Sequence, residues 1–177
     1  MSPRFSALRS FLSARAALLA CLGALALAGC AQPWEQFHAG DDKAAVIAKF
    51  GAPPEIYDLP NGGQRLMWPT QPMGEYTTAA DIDAAGKIVN LRQVLQPNEF
   101  YRAQVDKWTR TDVLVNFGRP METTWFPMMQ REVWTYRYLE DGVWYMLFHF
   151  YFDRSGILRT MQKSPDPLHD HEHLMRF

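Results

Sequence analysis

The chain has 177 residues, with 18 basic and 19 acidic side chains and a net charge of −1. This balance argues against nucleic acid as a partner, because binding to phosphates needs a basic surface. The length is sufficient for one domain with a hydrophobic core, and 14% of the residues are aromatic, which supplies large side chains for it.

The first segment of the chain has the pattern of an export signal. Arg4, Arg9 and Arg15 precede residues 16–28, an apolar run without a charged residue. A positive segment before an apolar run of this length is typical of a signal peptide. The run is shorter than the ~20 residues that a membrane-spanning helix needs.

The apolar run ends in Leu27, Ala28, Gly29 and Cys30, which resemble the lipobox of bacterial lipoproteins. The resemblance implies a diacylglyceryl thioether on Cys30 and a peptidase that recognises the three preceding residues and cleaves before the cysteine. The alternative is a plain secretory signal in which the cysteine occurs by chance. Ala31 and Gln32 directly follow Cys30, with no aspartate, a pattern that resembles outer-membrane sorting in enteric-type bacteria and implies a lipid-anchored protein on the periplasmic side.

The predicted cleavage defines a signal peptide at residues 1–29 and a tether at residues 30–39. It removes three arginines, so the mature chain of 148 residues has a net charge of −4. Cys21 leaves with the signal peptide and Cys30 carries the lipid, so no disulfide can form.

The mature sequence contains three landmarks that occur twice in the same order. The paired segments are residues 46–53 and 113–120, residues 65–68 and 131–134, and residues 83–86 and 153–156. Their separations of 67, 66 and 70 residues are nearly constant, which indicates an internal duplication.

Each landmark predicts a local structure. The first predicts a short helix with Asp42 or Thr109 as its N-cap, and Asp112 near a capping box. Gly51 and Gly118 are predicted to end these helices in the left-handed conformation, and a proline two residues later prevents continuation. The third landmark, Asp-x-x-Gly, predicts a type I turn.

Hairpin signals and β-rich runs predict strands between the landmarks, with a linking helix from an Asn98 cap to about Lys107. The predicted strands are residues 55–59, 64–68, 76–82, 87–94, 132–138, 143–152 and 157–162. We predict two repeats, at residues 40–97 and 98–163, in an α+β fold whose helices lie on one face of a shared antiparallel sheet.

This order of landmarks resembles the BamE (SmpA/OmlA) domain of outer-membrane lipoproteins. The second repeat carries the resemblance best, at Val113, Phe117, Gly118, Pro120, Trp134, Tyr136, Asp153 and Gly156. The family implies a non-catalytic scaffold that supports the β-barrel assembly machinery at the outer membrane. The tandem form is similar in plan to the β-lactamase inhibitor protein, which binds enzymes with an aromatic sheet face.

Catalytic and cofactor motifs are absent from the sequence. The mature chain has only Ser155 and Ser164 as serines, and neither lies in a Gly-x-Ser-x-Gly elbow. There is no His-Glu-x-x-His, phosphate-binding loop or dinucleotide fingerprint. We therefore expect no enzymatic activity and no cofactor.

The C-terminal residues 164–177 are predicted to be a flexible tail that contains His169, His171 and His173 between acidic residues. Alternate histidines could face one metal ion, but the preferred interpretation is a disordered polar terminus without a metal. A metal-binding lipoprotein, and an inhibitor or small-ligand binder on the same fold, remain the alternative functions.

The second repeat also predicts a partner-binding face. A two-residue turn at Asp141-Gly142 would place six aromatic or imidazole side chains on one side of the hairpin. They are Trp134, Tyr136, Tyr138, Tyr145, His149 and Tyr151. Rings with a polar group are enriched at protein interfaces, so we expect this face to bind an envelope protein.

Overall fold

A computed structural model describes residues 33–169. A 3-10 turn at Pro33–Gln36 belongs to one structural unit, and the elements below belong to a second unit that begins at Phe37. The predicted signal peptide and the lipobox with Cys30 lie outside the described residues. Within residues 33–169, no helix has the length and apolar character to cross a bilayer.

The second unit consists of three short helices and eight strands within its described residues. The helices are α1 (Lys43–Phe50), α2 (Pro97–Phe100) and α3 (Arg110–Phe117). The strands are β1 (Glu55–Asp58), β2 (Gln64–Pro69), β3 (Thr77–Ile82), β4 (Ile88–Gln93), β5 (Glu122–Phe126), β6 (Arg131–Glu140), β7 (Trp144–Phe152) and β8 (Leu158–Pro165). They form two antiparallel sheets in the orders β1-β2-β3-β4 and β5-β6-β7-β8. The fold is therefore α+β.

Each half of the unit is a helix followed by a four-stranded meander. The residue before the first helix, Asp42, forms an isolated bridge with Lys87, and Thr109 forms the same bridge with Ile157. Both bridge partners directly follow the glycine of an Asp-x-x-Gly turn. In both turns the glycine N–H donates to the aspartate carbonyl at 3.0 Å, as the sequence predicts.

The predicted helix ends are confirmed, with differences in their capping. Thr109 and Asp112 form a complete capping box, whereas Asp42 makes no capping hydrogen bond and pairs with the Lys87 Nζ at 2.6 Å. Gly51 has φ 82° and ψ −176°, and Gly118 has φ 78° and ψ −168°. Both have the expected positive φ, but they adopt the extended positive-φ region that essentially only glycine occupies, and not the left-handed helical one.

The linking helix is shorter than predicted. It begins after Gln96, with Pro97 in its first turn, and ends at Phe100, so the prediction of a helix from Asn98 to Lys107 is wrong. Burial of Phe100 and pairing of Asp106, whose N–H donates to the Leu158 carbonyl at 2.8 Å, hold the next residues as turns against the second half. Strand β5 was not predicted, although its Thr-Thr-Trp-Phe run has high β propensity.

The two sheets are separate, so the prediction of one shared sheet is wrong. Helix α3 packs against both: Val113 and Phe117 lie in one core cluster with Met67 of β2 and with Tyr136 and Phe150 of the second sheet. Helices α2 and α3 follow β4 and precede β5 in the chain, so the strands of the two sheets are separated by these helices.

Helix α1 covers the other face of the first sheet. Val46 packs with Leu66, Trp68 and Ala80 in a second cluster. The first sheet is consequently buried on both faces, since Met67 and Leu66 on its opposite faces are both fully buried. No helix in residues 37–169 covers the second sheet on the side away from α3.

A chain of ion pairs reinforces the contact between the halves. Arg65 Nε lies 2.5 Å from Asp81 Oδ1, and its Nη1 donates to the Val115 carbonyl at the end of α3 at 3.0 Å. Arg92 pairs with the same aspartate at 3.0 Å and with Glu99 at 3.3 Å. Burial opposes ionisation of Asp81, but the two arginines hold its pKa below the usual range.

Candidate binding surface

The β6–β7 hairpin has a three-residue loop, which changes the predicted faces. Glu140 pairs with Trp144, and the Val143 N–H closes the loop on the Glu140 carbonyl at 3.1 Å. The prediction of a two-residue turn at Asp141-Gly142 is therefore wrong. A shift of one residue moves a whole strand's side chains to the other face. This register buries Phe148, Phe150 and Phe152 of β7 on the same side as the rings of β6, with Met146 partly buried beside them.

Three of the six predicted partner-binding residues are core residues, which corrects the prediction. Trp134, Tyr136 and Tyr138 are 7%, 0% and 1% exposed. The Tyr136 hydroxyl donates to the Gly118 carbonyl at 2.8 Å, as Trp68 Nε1 does to the Gly51 carbonyl at 3.0 Å in the first half. This shared contact makes Tyr136 the structural counterpart of Trp68. The second landmark paired Trp68 with Trp134, so that part of the sequence alignment is wrong by two residues.

The other three predicted residues, Tyr145, His149 and Tyr151, lie on the side of the second sheet that faces away from α3. We call this side the outer face. The cross-strand pairs place the following residues on it: Glu122, Thr124, Val133, Thr135, Arg137, Tyr145, Leu147, His149, Tyr151, Thr160, Gln162 and Ser164. The β6 residues of this face, Val133, Thr135 and Arg137, are buried. On β7, Tyr145 is 39% exposed and Tyr151 is half-buried.

His149 lies at the centre of the outer face between two hydroxyl groups. Its Nδ1 is 3.0 Å from Thr135 Oγ1, and its Nε2 is 3.0 Å from Ser164 Oγ. Burial lowers the pKa of His149, and the charge of Glu122 opposes that shift. In a catalytic triad, a carboxylate next to the histidine stabilises the positively charged ring. Thr135 takes that position here, and its neutral hydroxyl stabilises a charged His149 much less.

His149 should make the protein less stable in acid. Its folded-state pKa is below that of the unfolded chain, ~6.5, so the unfolded chain binds the proton more readily. The stabilising contribution is complete above the unfolded pKa and is lost as the pH falls from there through the folded pKa. We expect His149→Gln to flatten this part of a melting-temperature profile. His38→Gln is the control, and an unchanged slope in His149→Gln would refute the assignment.

One end of the outer face is closed by a buried ion pair. Arg137 Nε lies 2.5 Å from Asp166 Oδ2, and the two residues are 4% and 1% exposed. Arg137 Nη1 also donates to the Pro72 carbonyl at 2.7 Å, and Gln71 Nε2 donates to the Arg137 carbonyl at 2.7 Å. Burial opposes ionisation of Asp166, but the arginine holds its pKa below the usual range. The β2–β3 loop of the first half is thus bound to the second sheet.

The predicted tail boundary at residue 164 is wrong. Strand β8 continues to Pro165, Asp166 is buried, and the His169 ring stacks on Tyr145 with centroids 3.8 Å apart. The tail contributes a partner for Arg137, which sequence periodicity could not reveal. Residues 170–177, including His171 and His173, lie outside the described residues.

No group of three or more metal-binding side chains occurs in residues 33–169. His169 Nδ1 lies 3.0 Å from Asp166 Oδ2, so one of its nitrogens already contacts a carboxylate. Of the three histidines in the metal-binding alternative, His169 lies within the described residues, and His171 and His173 lie outside them.

No known family model matches the chain, and no curated protein matches it. Among solved structures, the chain is similar to a DUF4309 family protein (YjgB) from Bacillus subtilis, with 16% identity over 71% of this chain and 79% of that one. The TM-score is 0.30.

Proposed function

We propose that the protein is a non-catalytic lipoprotein of the bacterial envelope that binds a protein partner through its outer face. The observation that carries the proposal is the difference between the sheets. The first is buried on both faces, whereas the second has no helix over its outer face in residues 37–169. The accessible side chains there combine apolar rings with hydrogen-bonding groups, as protein interfaces do.

The lipobox supports placement at a membrane. With a lipid on Cys30, two or more acyl chains would hold the protein stably on the bilayer. The BamE-like order of motifs favours a scaffold at the periplasmic side of the outer membrane, with the β-barrel assembly machinery as the candidate partner. An enzyme bound by the same face would instead make the protein an inhibitor.

Photocrosslinking tests the partner-binding face. A benzophenone amino acid at Tyr151 preserves an aromatic ring, and the same group at Ala48, exposed on α1, is the control. We expect a crosslinked envelope protein from position 151 and none from position 48. The identity of the captured protein distinguishes an assembly subunit from a hydrolase. Equal crosslinking at both positions, or none at either, would contradict the proposal.

The anchor is tested separately in the same cells. An alkyne fatty acid should label the wild-type chain, and Cys30→Ala should remove the label and leave an uncut precursor. A wild-type chain without label would refute the anchor, whatever the crosslinking result.

A further inference from the structure

The turn between β5 and β6 exposes a group of apolar side chains. Met128 is 97% exposed, Met129 53%, Trp125 43% and Phe126 42%. We call residues 125–129 the hairpin tip. The tip belongs to neither core cluster, and the Trp125 and Phe126 rings contact no other ring in residues 33–169. Contiguous exposure of this kind marks a contact site for a protein or a membrane.

Two arginines lie beside the hairpin tip. Arg131 and Arg154 line an open depression of about 450 Å³ with Gln130, Asp153 and Ser155. Neither arginine has an acidic group within ion-pair distance in the described chain. The Asp153 carboxylate accepts a hydrogen bond from Ser155 and pairs with Arg159 at 2.7 Å, and both contacts hold its pKa far below the usual range.

Two further acids lie at this end of the sheet, and both are paired: Asp106 shares Arg159 with Asp153, at 2.7 Å. Glu132 Oε2 lies 2.6 Å from Arg110 Nε, at the start of α3. Because Arg159 serves both aspartates, the four arginines and three acids at this end leave a net charge of +1 beside the tip. An apolar tip with arginines at its base matches the acyl chains and the phosphates at the surface of a bilayer.

The opposite end of the second sheet has exposed apolar residues but the other charge. Val143 and Trp144 are 65% and 66% exposed there. Asp141 lies in the same loop and Glu140 directly precedes it, with Lys163 paired to Glu140 at 2.6 Å. An acidic loop is repelled by anionic lipid, so charge distinguishes the two ends as membrane contacts.

We propose that the hairpin tip inserts into the bilayer surface, with Arg131 and Arg154 at lipid phosphates. This inference rests on the proposed anchor. Six residues separate Cys30 from Phe37, and the seven steps of an extended chain between them span at most about 25 Å. The anchor would hold Phe37, at the start of the unit, within that distance of the bilayer surface.

A site-specific probe tests the insertion with the lipidated chain. Met128→Cys would carry the mature chain's one free thiol, because Cys21 is removed and Cys30 is modified in the proposed form. An environment-sensitive nitrobenzoxadiazole label at position 128 should shift to the blue in vesicles of phosphatidylglycerol and phosphatidylcholine. Brominated acyl chains should quench most of its emission. The same label on Val143→Cys, at the opposite end of the sheet, should show neither effect.

Removal of the two arginine charges tests whether their contact with lipid phosphates holds the tip in the bilayer. Arg131→Gln with Arg154→Gln should reduce quenching at position 128 in the anionic vesicles, and melting curves should stay unchanged because neither arginine has an ion pair in the described structure. Equal quenching at positions 128 and 143, or none at 128, would overturn the proposal. A spectral shift that requires an added envelope protein would also overturn it.

Failure of the anchor has its own signature. A second label per chain, located on Cys30 by mass spectrometry, would show that this cysteine carries no lipid, and the tether argument would fail with it. One label per chain without quenching at position 128 would refute tip insertion and leave the anchor intact.

Discussion

Asp166→Ala should lower the free energy of unfolding by about 3–5 kcal/mol, because it leaves a buried guanidinium without its counter-ion. Arg137 is 4% exposed, and Asp166 is the acid that pairs with it. The effect should appear in urea denaturation as a lower midpoint with an unchanged slope. Removal of residues 166–177 should destabilise the chain at least as much.

Two variants control this measurement. Asp58→Ala removes an exposed carboxylate and should change the free energy of unfolding by less than about 0.5 kcal/mol. Arg137→Met with Asp166→Leu replaces both ions and should recover most of the loss, since apolar residues can replace a buried ion pair. A wild-type midpoint in Asp166→Ala would show that the C-terminal segment is not bound to the sheet.

Phe100→Ala should cost about 3–5 kcal/mol, since truncation of a buried ring loses burial free energy and leaves a cavity. Phe100 is fully buried, and its ring centroid lies 4.4 Å from that of Phe148 and 5.2 Å from those of Phe117 and Tyr138. It therefore joins the short helix α2 to α3 and to the second sheet. Calorimetry should show a lower melting temperature for the whole unit.

Phe126→Ala is the matched control, because Phe126 is 42% exposed and lies outside the core clusters. We expect a loss below about 1 kcal/mol for this exposed site. Similar losses in the two variants would mean that the aromatic cluster around Phe100 is not the core of the unit.

Local features of the fold were predictable from sequence because neighbouring residues determine them. The capping box of Thr109 and Asp112, the glycine that ends each main helix and the Asp-x-x-Gly turns depend on contacts within a few residues. Seven of the eight strands were also recognised. The helix after Gln96 was predicted too long, because its end depends on the pairing of Asp106 with β8.

Features that depend on distant residues were not predictable. Separation of the sheets follows from the packing of α3 on Met67, a contact between residues far apart in the chain. The β6–β7 register depended on a single residue in the loop, and that residue decided whether Tyr136 or Tyr145 faces the core. Half of the predicted partner-binding face was consequently placed in the wrong layer.

The candidate surface was therefore only partly visible in the sequence. Tyr145, His149 and Tyr151 were correctly expected to share a face, since alternate residues of one strand do so in any register. The Arg137–Asp166 pair and the hairpin tip were missed. The run Trp-Phe-Pro-Met-Met at residues 125–129 was a signal for the tip, because five such residues at a tight turn have little access to a core.

The position of α3 imposes an order on the maturation of a newly made chain. The first sheet is complete in sequence at Gln93, yet the face that carries Met67 and Ala79 is closed only after residues 110–117 have been added. A ribosome or an export channel releases the chain from its N-terminal end, so this sheet emerges before its cover does. Until α3 has emerged, the first half of the chain exposes this apolar face. We expect a chaperone that binds exposed apolar surface to bind the chain during that interval.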